Sequence, residues 1–154
     1  MRRFEKYLAE VGIKEGPILN RLTTIYNICA GSFHEEIIEI FVSEIKNNDG
    51  SRVYEHVSLF TENYIIDIVE PIGNEIQWNV ASYKKAFGWA ELSSFNFDFE
   101  KANDDSKLKV LCRNFLEMNL SYSFKATGTN CNHLWSIYKE HIQRNLSKVN
   151  EKSG

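Results

Sequence analysis

Residues 36–60 read EIIEIFVSEIKNNDGSRVYEHVSLF, and this stretch decides the fold class. Ile38, Ile40 and Val42 alternate with Glu39, Phe41 and Ser43, the two-residue period of a strand. Asn47-Asn48-Asp49-Gly50 follows, and Asp-Gly supplies the positive φ angles that a tight hairpin turn needs. Val53, Glu55, Val57 and Leu59 then alternate with Tyr54, His56, Ser58 and Phe60 as the return strand. A hairpin here excludes an all-helical protein.

Upstream the spacing is helical. Phe4, Tyr7, Leu8 and Val11 fall at i, i+3, i+4 and i+7, with Gly12 placed to end the helix in the left-handed conformation. Pro17 suits the first position of a second helix, whose buried face is Ile18, Leu22, Ile25 and Cys29 and whose end is set at Gly31. Downstream, Thr61-Glu62-Asn63 turns the chain into a third strand, Tyr64 to Val69. Pro71 and Gly73 break it, and Ile76, Trp78 and Val80 mark a fourth. Phe95, Phe97 and Phe99 read as a fifth strand, Asn103-Asp104-Asp105-Ser106 as a turn, and Leu108, Val110 and Cys112 as a sixth strand. Leu116, Met118, Leu120, Tyr122 and Phe124 form a long seventh. Residues 81–92 fit neither period and read as loop. Asn130 or Asn132 is placed to cap a last helix, with Leu134, Ile137, Tyr138, His141 and Ile142 on one stripe and Leu146 beyond it.

Two helices, about seven meandering strands and one amphipathic helix make an α+β chain. Short connections favour antiparallel pairing, because parallel strands need long crossovers. The element order from Glu36 to Leu146 resembles that of pleckstrin-homology-like (PH-like) barrels, a strongly bent antiparallel sheet capped by a C-terminal helix; no residue motif carries the resemblance. The alternative is a helix-grip cup, a curved sheet wrapped on a long C-terminal helix around an apolar cavity. The strand that opens that fold is missing ahead of the two helices. The expected organisation is an N-terminal helical segment, 1–34, packed on a PH-like domain, 35–147, with a frayed tail, 148–154.

At 154 residues the chain has the length of one domain, and its 43% hydrophobic and 25% charged residues exclude a disordered or fibrous protein. Three widely spaced Cys (Cys29, Cys112 and Cys131) exclude a disulfide framework and a Cys-rich zinc site. The basic start, residues 1–6, runs into an amphipathic stretch, and nowhere do about 18 apolar residues follow one another. The expectation is a cytoplasmic protein with reduced thiols and no membrane span.

The net charge of −3 hides a strong asymmetry. Residues 1–34 carry five basic and three acidic side chains, 35–105 carry five and fifteen, and 106–154 carry eight and three, giving +2, −10 and +5. An acidic middle repels phosphate, so nucleic acid and anionic lipid are not expected partners, whereas a basic protein or a second copy of the chain is.

Chemistry-bearing residues are few. In many PH-like domains the first hairpin holds inositol phosphates, and here it offers only Lys46 and Arg52, beside Glu44, Asp49 and Glu55. Thr127-Gly128-Thr129 leads into the last helix, whose first amides could hold an anion near His133. Cys131 near that helix start is the thiol whose pKa the helix field would lower. Trp89 is the aromatic best placed for an exposed contact. The four His show no metal-ligand spacing, no Ser lies in a GxSxG elbow, and no cofactor motif occurs. The expected function is therefore a non-catalytic intracellular binding module with a protein partner or self-association; alternatives are a cup for a small apolar ligand and a small acidic chaperone or immunity-type protein.

Overall fold

In the computed structural model, residues 1–32, 34–47, 49–69, 79–114 and 121–146 are described. They form three helices and seven strands in two antiparallel sheets, an α+β architecture. Strand order follows chain order in both sheets, β1-β2-β3-β4 in one and β5-β6-β7 in the other. The PH-like strand count and C-terminal helix are therefore present, while the described residues form no closed barrel. The chain divides into two compact units, Met1–Ser43 with Arg52–Lys84, and Glu44–Ser51 with Lys85–Gly154.

In the first unit, α1 (Glu5–Glu10) is followed by Gly12, whose φ of 91° is the left-handed conformation expected of a helix terminator. Helix α2 (Pro17–Ser32) starts at the proline, as read. Its end differs: Gly31 lies inside the helix and carries no positive φ. Phe4, Leu8 and Val11 from the first helical segment and Leu22 and Cys29 from the second enter a core with Ile40, Val42, Val57, Leu59, Ile66 and Ile68. Two tyrosines fasten this packing. Tyr54 Oη donates to the Val11 carbonyl at 2.6 Å, and Tyr7 Oη accepts the Val42 amide at 2.8 Å.

Strands β1 (Glu39–Lys46), β2 (Arg52–Phe60) and β3 (Tyr64–Val69) match the sequence reading, and β1 runs longer than its apolar alternation. Phe41 and Ser43 are buried along with Ile40 and Val42, so the alternation does not separate a wet face from a dry one there. The hairpin turn is closed by Asn47 N to Ser51 O at 2.7 Å, with Gly50 at φ 87°. Glu35 locks the next turn: its carboxylate accepts from Thr61 Oγ1, Asn63 N and Asn63 Nδ2 at 2.8–2.9 Å.

The main correction falls on residues 81–92. They are strand, divided between β4 (Asn79–Lys84) and β5 (Phe87–Phe95), with only Lys85 and Ala86 between. Neither strand shows a clean apolar alternation, because β4 is exposed or half-buried throughout. A register shift between Phe87 and Trp89 breaks the period of β5 at its start. The fifth strand is thus displaced from Phe95–Phe99, where Asn96 and Phe99 instead take φ of 51° and 67° in a loop. The calls on Pro71, Gly73, Ile76, Trp78, residues 115–120 and the 148–154 tail lie outside the described residues.

In the second unit β6 (Lys107–Asn114) pairs with β5 on one side and β7 (Ser121–Thr127) on the other. Leu108, Val110 and Cys112 with Tyr122, Phe124 and Ala126 make one buried face, on which α3 (Asn130–Ile137) contributes Cys131, Leu134 and Ile137. A wider π-helical turn, Tyr138–Ile142, continues the expected stripe and buries His141 and Ile142. A parallel bridge between Phe87 and Leu146 holds the end of the helical region against the start of β5.

Candidate functional site

Side chains directly opposite one another in an antiparallel ladder project from the same face. The registers of β5, β6 and β7 therefore place four rows on one face: Trp89, Arg113 and Ser121; Glu91, Leu111 and Ser123; Ser93, Lys109 and Lys125; Phe95, Lys107 and Thr127. The opposite face of β6 and β7 is the buried one. Apolar residues leave this outer face to cations because nothing packs on most of it: Lys107, Lys109 and Arg113 are exposed.

A groove of about 410 Å³ lies over the two rows that hold the lysines. Its other wall is the end of β1, Glu44, Ile45 and Lys46. Four lysines, Lys46, Lys107, Lys109 and Lys125, thus line a groove whose exposed apolar side chains are Ile45 and Phe95. Phe95 is 60% exposed and Ile45 40%, both large hydrophobic side chains open to solvent. Lys107 Nζ lies 5.9 Å from the Phe95 ring centre, and three rows further along the sheet the Arg113 guanidinium lies 5.8 Å from the Trp89 ring centre. The face is basic and aromatic together.

The structure brings together some of the residues expected from the sequence. Lys46 and Thr127 line the groove, and Trp89, 42% exposed, stands on the same sheet face. Thr127 is buried and its Oγ1 donates to Glu44 Oε1 at 3.4 Å. Gly128 makes the turn at φ 60°, its amide donating to Ser106 O at 2.9 Å. Thr129 is the N-cap residue of α3 without a side-chain cap bond, so neither Asn130 nor Asn132 fills that role. Asn130 is buried, and Asn132 Oδ1 instead accepts the Ala102 amide at 3.1 Å. His133 is half-buried on α3 and does not line the groove. Arg52 opens β2, half-buried, and likewise lines no part of it.

Cys131 reverses its expectation. Burial first, and then the nearby Glu44 carboxylate, push its thiol from 9.0 up to about 12, so the helix field does not make it a nucleophile. Burial alone does the same to Cys112. All three cysteines are free and buried.

A Ser–His–Asp set in the first unit was missed by sequence reasoning. His56 Nδ1 lies 2.8 Å from Asp67 Oδ1, and Ser58 Oγ donates to the same oxygen at 3.0 Å. Ser58 also contacts the same ring nitrogen, at 3.3 Å. A nucleophilic relay needs the serine and the carboxylate on opposite nitrogens, so this set is a cross-strand tie between β2 and β3. In the second unit Lys85 Nζ and His141 Nδ1 are 3.1 Å apart, both buried. An ammonium only donates, so with Lys85 charged the imidazole accepts at Nδ1 and keeps its proton on Nε2.

Among the described residues no group of three or more His, Cys, Asp or Glu could hold a metal ion, and no helix is long and apolar enough to cross a membrane. No protein-family model, curated protein or solved structure matches this chain.

Proposed function

We propose that the protein is a non-catalytic binding module for a protein partner and that the lysine-rimmed groove of the second unit is its working surface. One observation carries this reading: Lys46, Lys107, Lys109 and Lys125 converge on the same groove as the exposed Ile45 and Phe95. Lysines outnumber the one carboxylate of the lining, Glu44, by four to one, and a carboxylate-bearing partner complements that excess while covering the exposed Ile45 and Phe95. The open form of the groove favours a macromolecular segment, since sites for small molecules usually bury most of their ligand. Trp89 and Arg113 extend the contact face along the sheet.

Selection of peptides from a random displayed library against the folded chain tests it. Enriched peptides are expected to lose about tenfold or more in affinity to Lys109→Glu/Lys125→Glu, because two attractions become two repulsions, each pair being worth up to ~1 kcal/mol. They should bind Lys14→Glu/Lys139→Glu as they bind the parent. Equal affinity for the two double variants moves the site elsewhere and overturns the reading.

A further inference from the structure

We infer that the groove takes a short protein segment whose residues run acidic, apolar, basic. This rests on the groove being the working surface. The concavity does not end at Phe95: past Lys46, Phe95, Lys107 and Thr127, which belong to both, it opens into a second hollow of about 550 Å³. That hollow is bordered by Asp49, Asp104 and Asp105.

The strand register orders these groups along one line. The row of Lys109 and Lys125 comes first, the row of Phe95 and Lys107 next, and then the turn of residues 103–106 with its two aspartates. Asp49 stands at the tip of the β1–β2 hairpin on the same hollow. Two hydrogen bonds from Ser51, from Oγ at 2.6 Å and from N at 2.9 Å, hold the Asp49 carboxyl below its usual range and keep it charged. The lining therefore has cations in excess at one end, four lysines to Glu44, the Phe95 ring in the middle, and carboxylates in excess at the other, three aspartates to the shared Lys46 and Lys107. From Lys109 to Asp105 is four residues, at most roughly 13 Å of chain, which an extended segment covers in about five residues.

This charge order selects among ligands. A nucleic acid carries a phosphate at every nucleotide and no cation, so a strand laid on the lysines meets three carboxylates at the far end. A purely acidic peptide meets the same repulsion. A segment with acid, apolar body and base in sequence satisfies both ends, and the exposed Phe95 and Ile45 receive its middle.

Labelled synthetic peptides, with the full chain as receptor, test this by fluorescence anisotropy. One has glutamates, a Leu-Phe-Leu centre and lysines; a second has glutamates at both ends. The mixed peptide is expected to bind about tenfold more tightly than the all-acidic one, and the gap should close in Asp104→Asn/Asp105→Asn. Lys109→Glu/Lys125→Glu should weaken both. Equal binding of the two peptides, with the aspartate variant silent and the lysine variant damaging, overturns the charge order but leaves the groove as the site. Absence of binding by the mixed peptide at about millimolar concentration overturns the inference, as does tighter binding of oligothymidylate or of phosphatidylserine vesicles through the same lysines. Thermal unfolding of each variant confirms that the receptor is folded.

Discussion

The two sheets use the same residue types and reach opposite results. In the first unit, the end of β2, Val57 to Phe60, is buried on both faces, and Ile65, Ile66 and Ile68 of β3 are buried too. In the second unit β6 alternates strictly: Leu108, Val110, Cys112 and Asn114 are inside, and Lys107, Lys109 and Arg113 are out. A strand enclosed on both faces has its side chains chosen by packing, with ~1.5–3 kcal/mol for each large apolar group buried. A strand with one wet face has half its positions released for recognition. The contrast is between a sheet enclosed on both faces over part of its length and one whose outer face carries the candidate site.

Core substitution tests this contrast most strongly. Ile66→Ala, at a fully buried position, is expected to lower the unfolding free energy by about 2–5 kcal/mol in urea denaturation. Phe95→Ala, at a largely exposed position, should change it by less than about 0.5 kcal/mol while weakening peptide binding. A large stability loss at Phe95 would break the division between packing and recognition.

Glycines sharpen the same comparison at smaller scale. Gly12 and Gly50 have nearly the same φ, 91° and 87°, but a Cβ on Gly12 would lie 2.7 Å from Tyr54 Oη whereas one on Gly50 meets nothing within 4 Å. Gly12→Ala is expected to cost about 2–3 kcal/mol, strain plus displacement of the tyrosine, and Gly50→Ala only about 1 kcal/mol of strain. Equal losses in thermal unfolding would show that the Tyr54 contact is slack.

Alkaline titration probes the buried face of the second unit. Cys112 and Cys131 have thiols raised to about 12, so the folded state holds their protons more tightly than the unfolded chain does. Their contribution to stability is complete below pH 9 and is withdrawn as pH climbs toward 12. Iodoacetamide at pH 8 should leave both unlabelled in the folded protein, and rapid labelling would show that this face opens. The smallest effect is at the hairpin tip. Ser51→Ala removes the side-chain bond to Asp49, and its carboxyl should move up toward 3.8 in an NMR titration with the melting temperature almost unchanged.

Much of the fold was legible because it rests on strong local periods. Pro17 opening α2, Gly50 at the hairpin and the alternation of Leu108, Val110 and Cys112 each state their structure in a few residues. Residues 81–92 hid their strands because neither β4 nor β5 buries a full row of apolar side chains, and the register shift after Phe87 breaks the period that remains. The site was legible only in pieces. The surplus of cations after residue 105 was plain, but the count alone did not say that Lys107, Lys109 and Lys125 share one sheet face. That Lys109 faces Lys125, and that Phe95 faces Lys107, depends on register between strands, which spacing within one strand does not encode. Lys46 and Trp89 were found because each is conspicuous alone.

Both sheets are simple meanders, each strand paired with its predecessor. For folding kinetics this means that the pairing steps close short loops: three residues between β2 and β3, and eleven between β5 and β6. Loop-closure entropy rises only slowly with length and is low for such steps. Neither sheet has to wait for a distant strand to arrive, so the conformational search proceeds hairpin by hairpin. Refolding should accordingly be faster than for a β-protein of equal size whose sheets are joined by long crossovers.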